Sequence, residues 1–373
     1  MKIVFCIDSF KGSLGSVEAG RAAAEGARRA FPDAVCVVKP LADGGEGTVE
    51  ALASGMGGEL RRIEVTGPAG RPATATYGVA SETAIMEMAQ AAGITLVSGS
   101  EKDPLLTTTY GVGEMIADAI SHGCRRFIVG IGGSATNDGG AGMLQALGFR
   151  LLDADGAEIP RGGAALSRLA KIERGPGTER LAGCAFRIAC DVTNPLCGPK
   201  GASAVFGPQK GATPEKVAAL DAALARFAAV SGGDPDFPGS GAAGGLGFGF
   251  RNFLGAELKS GVDIVLEETG LEAEIADADV VVTGEGRLDA QTAMGKAPCG
   301  VAKLAKKHGK KVLAFSGCVT SDAGILNERG IDAFFPVLRE VTTLEKALEK
   351  NYAAANLAAT SEQAFRCFRL GAH

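Results

Sequence analysis

Charged residues able to do chemistry gather in five short runs, each following an apolar stretch. In order they are Asp8-Ser9-Phe10-Lys11-Gly12, then Asp43-Gly44-Gly45-Glu46-Gly47, then Gly132-Gly133-Ser134 with Asn137-Asp138. The last two are Asp191 with Thr193-Asn194, and Gly284-Glu285-Gly286-Arg287 with Asp289. The carboxylates Asp43, Asp138, Asp191, Glu285 and Asp289 suit a hard cation such as Mg²⁺, or can take the proton of an acceptor hydroxyl. Lys11 and Arg287 suit an anion, either a transferring phosphate or a substrate carboxylate. Lys210, in VFGPQKGA (205–212), has a weaker version of the same claim. The loop GIGGSATNDGGAGM (130–143) has the makings of an anion cradle, because successive glycines free backbone N–H groups and a helix follows. GSGAAGGLGFG (239–249) is a second glycine-rich stretch, suited to close approach of a flat or phosphorylated ligand, or to a flexible linker. Any one run reads equally well as a turn, since Asp and Gly are ordinary turn residues. Five runs at the ends of apolar strands do not reduce to turns, although about half of the carboxylates are expected to act as caps or structural pairs.

Buried strands must position these runs. Residues 3–7 (IVFCI) and 35–38 (VCVV) are continuously apolar, as parallel strands covered on both faces are. Between them an Ala-rich helix is expected from Val17 to Ala30, with Ser16 as its N-cap. Segments 61–66, 73–79 and 83–88 are short, alternating and joined by Gly/Pro turns, which predicts antiparallel strands. A helix near 111–121, a strand at 127–131, a helix beginning near residue 138 and the strand FRIAC (186–190) follow. A Pro/Gly-rich region covers 194–250, interrupted by a helix at 214–230. The βα rhythm returns with a strand at 279–283, a helix near 297–308, a strand at 311–315 and a C-terminal helix at 343–359. The expected fold class is α/β. A Rossmann-like parallel-sheet domain takes residues 1–64 and 279–373, and a second mixed α/β domain, 65–278, is inserted into it. Ligands bind outside the carboxyl ends of strands in open parallel sheets, and commonly at domain interfaces. The five runs are therefore expected to face an interdomain cleft.

The totals agree with a two-domain globular protein: 373 residues, of which 46% are hydrophobic and 22% charged. Its 38 basic and 43 acidic residues are well mixed, without the basic stripe that a nucleic-acid partner would demand. The opening MKIVFCIDSFKG reaches Asp8 and Lys11 too early for a signal-peptide apolar region, and no apolar run approaches bilayer-spanning length. Nine cysteines without a C-x-x-C pair, such as Cys6, Cys36 and Cys190 in apolar segments, read as buried reduced thiols of a cytoplasmic protein. The sequence has no Walker A match, no full G-x-G-x-x-G and no G-x-S-x-G, which weakens P-loop, dinucleotide and nucleophile-elbow readings. His122 and His308 each precede a glycine at an expected helix end and the third histidine is the terminal His373, so neither a histidine triad nor a zinc site is expected.

At these residues the chain closely resembles the bacterial glycerate kinases of type 1. The matching stretches are DSFKGSL (8–14), PLADGGEGT (40–48), GIGGSATNDGGAGMLQALG (130–148), CDVTNPLCGPKGASAVFGPQKGA (190–212), GAAGGLG (241–247) and VVTGEGRLDAQTAMGK (281–296). They are long, idiosyncratic and spread over nearly the whole chain. The resemblance implies a two-domain α/β phosphotransferase unrelated to P-loop kinases, dependent on Mg²⁺, with ATP as donor and D-glycerate as acceptor. For bacterial members the product is commonly 2-phosphoglycerate. Within such a site Lys11 and Arg287 would contact phosphate or the glycerate carboxylate, and Asp191 would orient or deprotonate the acceptor hydroxyl. Gly132, Gly133 and Ser134 would donate to phosphate, while Asp43, Asp138 and Glu285 would hold Mg²⁺ directly or through water. Asp8, Ser9, Asn137, Lys210 and Asp289 complete the expected substrate- and phosphate-binding set. One departure is Gly15, where a serine or similar polar residue is expected after GSL. Rival readings are a kinase for another small hydroxy acid, a non-catalytic binding protein of the same fold, and a dehydrogenase. The intact Lys11 and Asp191 disfavour the second, and titration with NAD against ATP separates the third. The motifs leave open the hydroxyl phosphorylated, the metal stoichiometry and whether the chain forms a homo-oligomer.

Overall fold

The computed structural model describes residues 1–45 and 47–370; Glu46 of the second acidic run and the terminal His373 lie outside them. In chain order its strands are β1 (Lys2–Ile7), β2 (Val35–Val38), β3 (Glu59–Thr66), β4 (Pro72–Ala80), β5 (Thr83–Glu87), β6 (Arg126–Gly130) and β7 (Phe149–Leu152). They continue with β8 (Lys171–Arg174), β9 (Ala185–Ala189), β10 (Glu257–Lys259), β11 (Val280–Leu288), β12 (Lys311–Val319) and β13 (Ala333–Pro336). The chain divides into two compact units, one holding Met1–Asp43, Glu50–Met56 and the chain from Val262 on, the other Gly44–Val49 and Gly57–Gly261. Strand β3 runs across residue 64 and pairs along its length with β4, which places it in the second unit.

The first unit is built on a five-stranded sheet in the order β13-β12-β11-β1-β2, with every pairing parallel. Phe5 lies in register with Val282 on one side and Val38 on the other, so β1 is central and its unbroken apolar run is what that position requires. Ile3, Phe5, Ile7, Val280, Val282, Leu313 and Phe315 share one core with the helices Ser16–Ala30 and Lys350–Leu370. The chain steps from β1 outward to β2, and from β11 outward through β12 to β13 in the opposite direction. The point of reversal, between β1 and β11, is where an open parallel sheet leaves a crevice at its carboxyl edge.

Strand β11 continues five residues past its expected end at 283, because β12 pairs with it as far as Leu288–Val319. Glu285 and Arg287 therefore lie within a strand. The first helix begins at Ser16 with Gly15 as its N-cap, and the Glu18 carboxylate accepts the Gly15 amide at 2.8 Å. A glycine N-cap gives up only a few tenths of a kcal/mol relative to serine. The Ser16 hydroxyl instead donates to the Ile7 carbonyl and accepts from the Leu41 amide, tying the end of β1 to the segment after β2. The expected C-terminal helix is two helices, Leu344–Leu348 and Lys350–Leu370, because the backbone is extended at Glu349.

The second unit holds a six-stranded mixed sheet in the order β10-β9-β6-β5-β4-β3 and a separate β7–β8 pair. Strands β10, β9, β6 and β5 are parallel, whereas β4 and β3 run antiparallel. The expected antiparallel trio thus ends in a strand, β5, that also opens the parallel half. Phe127, Val129, Phe186 and Ile188 pack a core shared with Phe227, Phe248 and Phe250. All nine cysteines are free; Cys6, Cys124 and Cys299 are buried, while Cys318 and Cys367 are exposed. No described helix is long and apolar enough to cross a membrane.

The helices Ser16–Ala30 and Lys350–Leu370 approach so closely that a Cβ on Gly26 would stand 2.0 Å from the Ala358 carbonyl oxygen. Helix propensity alone would make Gly26→Ala stabilising by about 0.5–1 kcal/mol. The contact reverses the sign: the substitution should destabilise by roughly 1–3 kcal/mol, the range of overpacked cores. Chemical denaturation of Gly26→Ala is the measurement, and a gain in stability would show that the two helices are not held this tightly.

Candidate active site

At the carboxyl edge of the first unit, Asp8 follows β1, Asp43 lies in the loop after β2, and Glu285 lies in β11. Asp8 is 7% exposed and its Oδ1 accepts the Ser9 amide at 2.7 Å. Burial, then the charge of Asp43, push its carboxyl up to about 7; Glu285 adds to this, while the Ser9 amide and Lys11 pull it down. Burial also raises Glu285, helped by Asp43 and Asp289, although the Thr292 hydroxyl donates to its Oε1 at 2.6 Å and Lys296 lies 3.9 Å from its Oε2. Asp8 and Glu285 thus lie in a poorly solvated place, where burial and the nearby charge of Asp43 raise their carboxyls. Asp289 is differently employed. Its Oδ1 accepts the amides of Gln291 and Thr292, and Arg287 pairs with its Oδ2 at 3.3 Å, so it organises the turn after β11. Lys11 and Arg287 are both exposed, with the Arg287 side chain 65% open to solvent.

In the second unit the parallel strands β5, β6 and β9 end in register at Glu87, Gly130 and Ala189. Three groups leave that edge: Glu87 itself, the loop 131–140, and Asp191. In the loop, Gly132 and Gly133 are exposed and Ser134 is half-exposed. Among the described residues none accepts from the amides of Gly132, Gly133 or Ser134. Gly133 holds φ at +73°, which suits glycine, and a Cβ on Gly132 would meet nothing. Consecutive free amides on a bare backbone form an anion-binding concavity.

The rest of the expected cradle has other duties. Asp138 is wholly buried and accepts four hydrogen bonds, from the Thr109 amide and hydroxyl and from the amides of Gly140 and Gly142. Burial raises its carboxyl against those four donors. Its oxygens thus serve the loop where a metal was expected. They also occupy the N-terminal end of the short helix Ala141–Ala146, the positive end expected to face an anion. Asn137, also wholly buried, donates to the Ser203 hydroxyl at 2.9 Å and so anchors the loop from inside. The second glycine-rich stretch packs on the first: a Cβ on Gly244 would lie 2.0 Å from the Thr136 oxygen, and one on Gly249 2.6 Å from the Gly139 oxygen. Its left-handed start at Ala243, Gly244 and Gly245 serves that contact of backbone on backbone, not a linker.

Asp191 is exposed, and its Oδ1 accepts the Gly261 amide at 3.1 Å. Three contributors went unmarked in the sequence. Glu87 is 8% exposed, and its Oε1 accepts the amides of Gly47 and Val49, holding the segment after Asp43. A charged residue closing the apolar strand TAIME was the available signal. Thr107 and Thr109 brace the cradle from outside it, through the Ala135 carbonyl and Asp138. The run of threonines before a helix reads as capping, yet the Thr109 hydroxyl donates to Asp138 and accepts from Met143.

Among the described residues no three His, Cys, Asp or Glu side chains form a ready metal cage. The Asp8, Asp43 and Glu285 oxygens nonetheless fit Mg²⁺, which takes one or two carboxylates and completes its shell from phosphate and water. Asp8 and Glu285, both raised by burial and by the charge of Asp43, would be stabilised in their charged form by a divalent cation.

The chain matches the glycerate kinase family over residues 3–369. It is 48% identical over 372 residues to a protein named Glycerate 2-kinase from Escherichia coli (strain K12), covering 96% of this chain and 98% of that one. To a Glycerate kinase from Haemophilus influenzae it is 47% identical over 380 residues, covering 100% of both. A crystal structure from Salmonella typhimurium LT2 that carries the name glycerate kinase 2 superposes with a TM-score of 0.92 at 47% identity, covering 100% of this chain and 99% of that one. With nearly every residue matched and the fold shared, the chain belongs to the glycerate kinase family.

Proposed function

We propose that this protein is a glycerate kinase that transfers the γ-phosphate of ATP to a hydroxyl of D-glycerate, with 2-phosphoglycerate as product. The observation that carries the reading is the acid cluster Asp8, Asp43 and Glu285 at the reversal point of a parallel sheet, in a chain of this family. Phosphoryl transfer is catalysed mainly by positioning and by neutralising charge, so it needs cations where this cluster stands. Asp8, Asp43 and Glu285 would hold Mg²⁺, which when bound neutralises charge developing on the transferring group. Lys11 and Arg287 are exposed and flank the cluster in sequence; Lys11 suits phosphate or carboxylate oxygens, and Arg287 would meet them from its pairing with Asp289. The free amides of Gly132, Gly133 and Ser134 suit a second set of anionic oxygens. Asp191 orients the acceptor hydroxyl and takes its proton; His122 and His308 are engaged with Asp118 and Glu272 instead. Both units contribute residues to one reaction on this reading.

The substrate is tested by ADP release with Mg-ATP. D-glycerate should outpace L-lactate, glycerol and tartronate; glycerol turned over as well as glycerate would remove the case for carboxylate recognition.

The base is tested with Asp191→Asn, which keeps size and most hydrogen bonds but not basicity. A general base contributes about 10²–10⁴-fold, so kcat should fall by roughly that factor while ATP affinity holds. Near-wild-type kcat would discharge Asp191 from the role. Loss of ATP binding alongside kcat would mark a metal ligand instead.

The acid cluster makes a prediction about stability. Asp8 ionises near 7 when folded and near its ordinary 3.8 when unfolded. Between those values the unfolded chain has lost a proton that the folded chain keeps, so stability falls as pH rises through the window. Asp8→Asn removes that penalty. In Mg²⁺-free buffer it should raise Tm at pH 8 by roughly 3–6 °C, leave Tm near pH 4 unchanged, and abolish turnover. A Tm at pH 8 equal to or below that of the wild type would contradict the strained cluster.

A further inference from the structure

Lys210 ends the short turn Pro208–Lys210 and is 1% exposed, the one fully buried lysine among the described residues. Its Nζ donates to the Ser134 hydroxyl at 2.8 Å and to the Thr136 carbonyl at 2.7 Å. So it cannot touch a ligand arriving from solvent, contrary to the direct binding role expected from the sequence. A tie between two loop residues does not call for a charge, and a buried ammonium is costly to keep. The directionality of the bond supplies a reason. An ammonium has three donors and no acceptor, and a serine hydroxyl has one proton. With Ser134 Oγ accepting from Lys210, its own proton must point elsewhere. No described residue accepts it, and Ser134 is half-exposed beside the free amides of Gly132 and Gly133.

We propose that Lys210 is a positioning residue: by donating to Ser134 it turns the serine hydroxyl outward, as the fourth donor of an anion cradle with the amides of Gly132, Gly133 and Ser134. The ligand chemistry is an anionic oxygen, either the carboxylate of the hydroxy acid or a phosphoryl oxygen of the nucleotide. This rests on the reading of the loop as part of a glycerate kinase site. The neutral amine can accept a hydrogen bond, so loss of the Lys210 proton lets the serine hydroxyl turn inward. Burial pushes Lys210 down to about 7, and the charge that pulls it back up is the Asp138 carboxylate. The outward donor is therefore present below that pH and lost above it.

The test is a double-mutant cycle of Ser134→Ala and Lys210→Met. It is read as kcat and KM for D-glycerate and ATP, and as calorimetric affinity for D-glycerate, ATP and inorganic phosphate. A hydrogen bond to a charged group implies a loss of about 10–100-fold in each single variant. The loss should fall on one substrate, and the double variant should be no worse than either single. The substrate affected identifies the anion. Full efficiency and affinity in Ser134→Ala, or losses that multiply in the double variant, would overturn the proposal. Should Lys210→Met fail to fold, pH decides: the wild-type to Ser134→Ala ratio of kcat/KM, or of affinity, should shrink toward one between about pH 7 and 9. A flat ratio overturns it. The Asp8 carboxyl titrates in both proteins and cancels. A wild type inactive on D-glycerate would sink the functional reading, while the affinity arms still decide this one.

Discussion

Repulsion among Asp8, Asp43 and Glu285 is the constraint on which the first unit turns. Asp8 follows β1, Glu285 lies within β11 and Asp43 lies in the loop after the neighbouring β2. Strands β1 and β11 are each held by neighbours on both sides, so the sheet can tolerate charges that oppose one another. The compensation inside the protein is thin. Thr292 and a distant Lys296 attend Glu285, one amide attends Asp8, and Arg287 is engaged with Asp289 instead. Asp289, by contrast, is paired with Arg287. On the proposed reading, a cation supplies the positive charge that burial withholds from Asp8 and Glu285.

The second unit solves the opposite problem. Its buried acid, Asp138, is saturated by four donors, and its unusual charge is a lysine. The four bonds to Asp138 tie the loop at 138–142 to Thr109, and the exposed amides without an acceptor are those at 132–133, with the half-exposed Ser134 beside them. Glycine makes this possible by packing as much as by ligand approach. Gly139 and Gly140 lie against Gly244, Gly245 and Gly249 so closely that side chains at Gly244 or Gly249 would meet backbone atoms. Two glycine-rich stretches far apart in sequence are thus one structural feature. Much of the chain's high glycine content is the cost of laying backbone on backbone.

That pairing also marks where reading the sequence stops. The apolar run VCVV at 35–38 gave a strand to the residue, although that strand lies at the sheet edge and is at most half-buried; burial on both faces holds for IVFCI in β1. The glycine-rich run at 132–134 and the acids near strand ends were equally visible. What could not be read was each polar group's partner. Asp138 looks like any loop acid until Thr109, twenty-nine residues away, is found on its oxygen. The stretch 239–249 looks like a ligand loop or a linker until Thr136 is found against Gly244. Strand β11 outran its apolar segment because pairing with β12 carried it on through Gly284, Glu285 and Gly286, where side-chain polarity says stop. Glu87 was passed over for the same reason: its duty is to amides forty residues upstream. Local pattern records burial, whereas hydrogen-bond partnership is a property of the fold.

The two units then share one physical device with the sign reversed. Burial raises an acid in the first and lowers a base in the second, bringing Asp8 and Lys210 both to about 7 from opposite directions. In each case the charged form is the one that a ligand of opposite sign would stabilise: a cation at Asp8, an anionic oxygen near Lys210. Neither group is fully charged at neutral pH in the free protein, so each unit sits partly discharged until its ligand arrives. On the proposed reading, binding would restore the charge, with a proton released at the acid and one taken up at the lysine, so the two exchanges would offset with both ligands bound. A kinase built this way lowers the standing electrostatic cost of its empty site and concentrates charge where and when the phosphoryl group moves. That is what positioning by preformed charges requires of a fold that must also survive without its substrates.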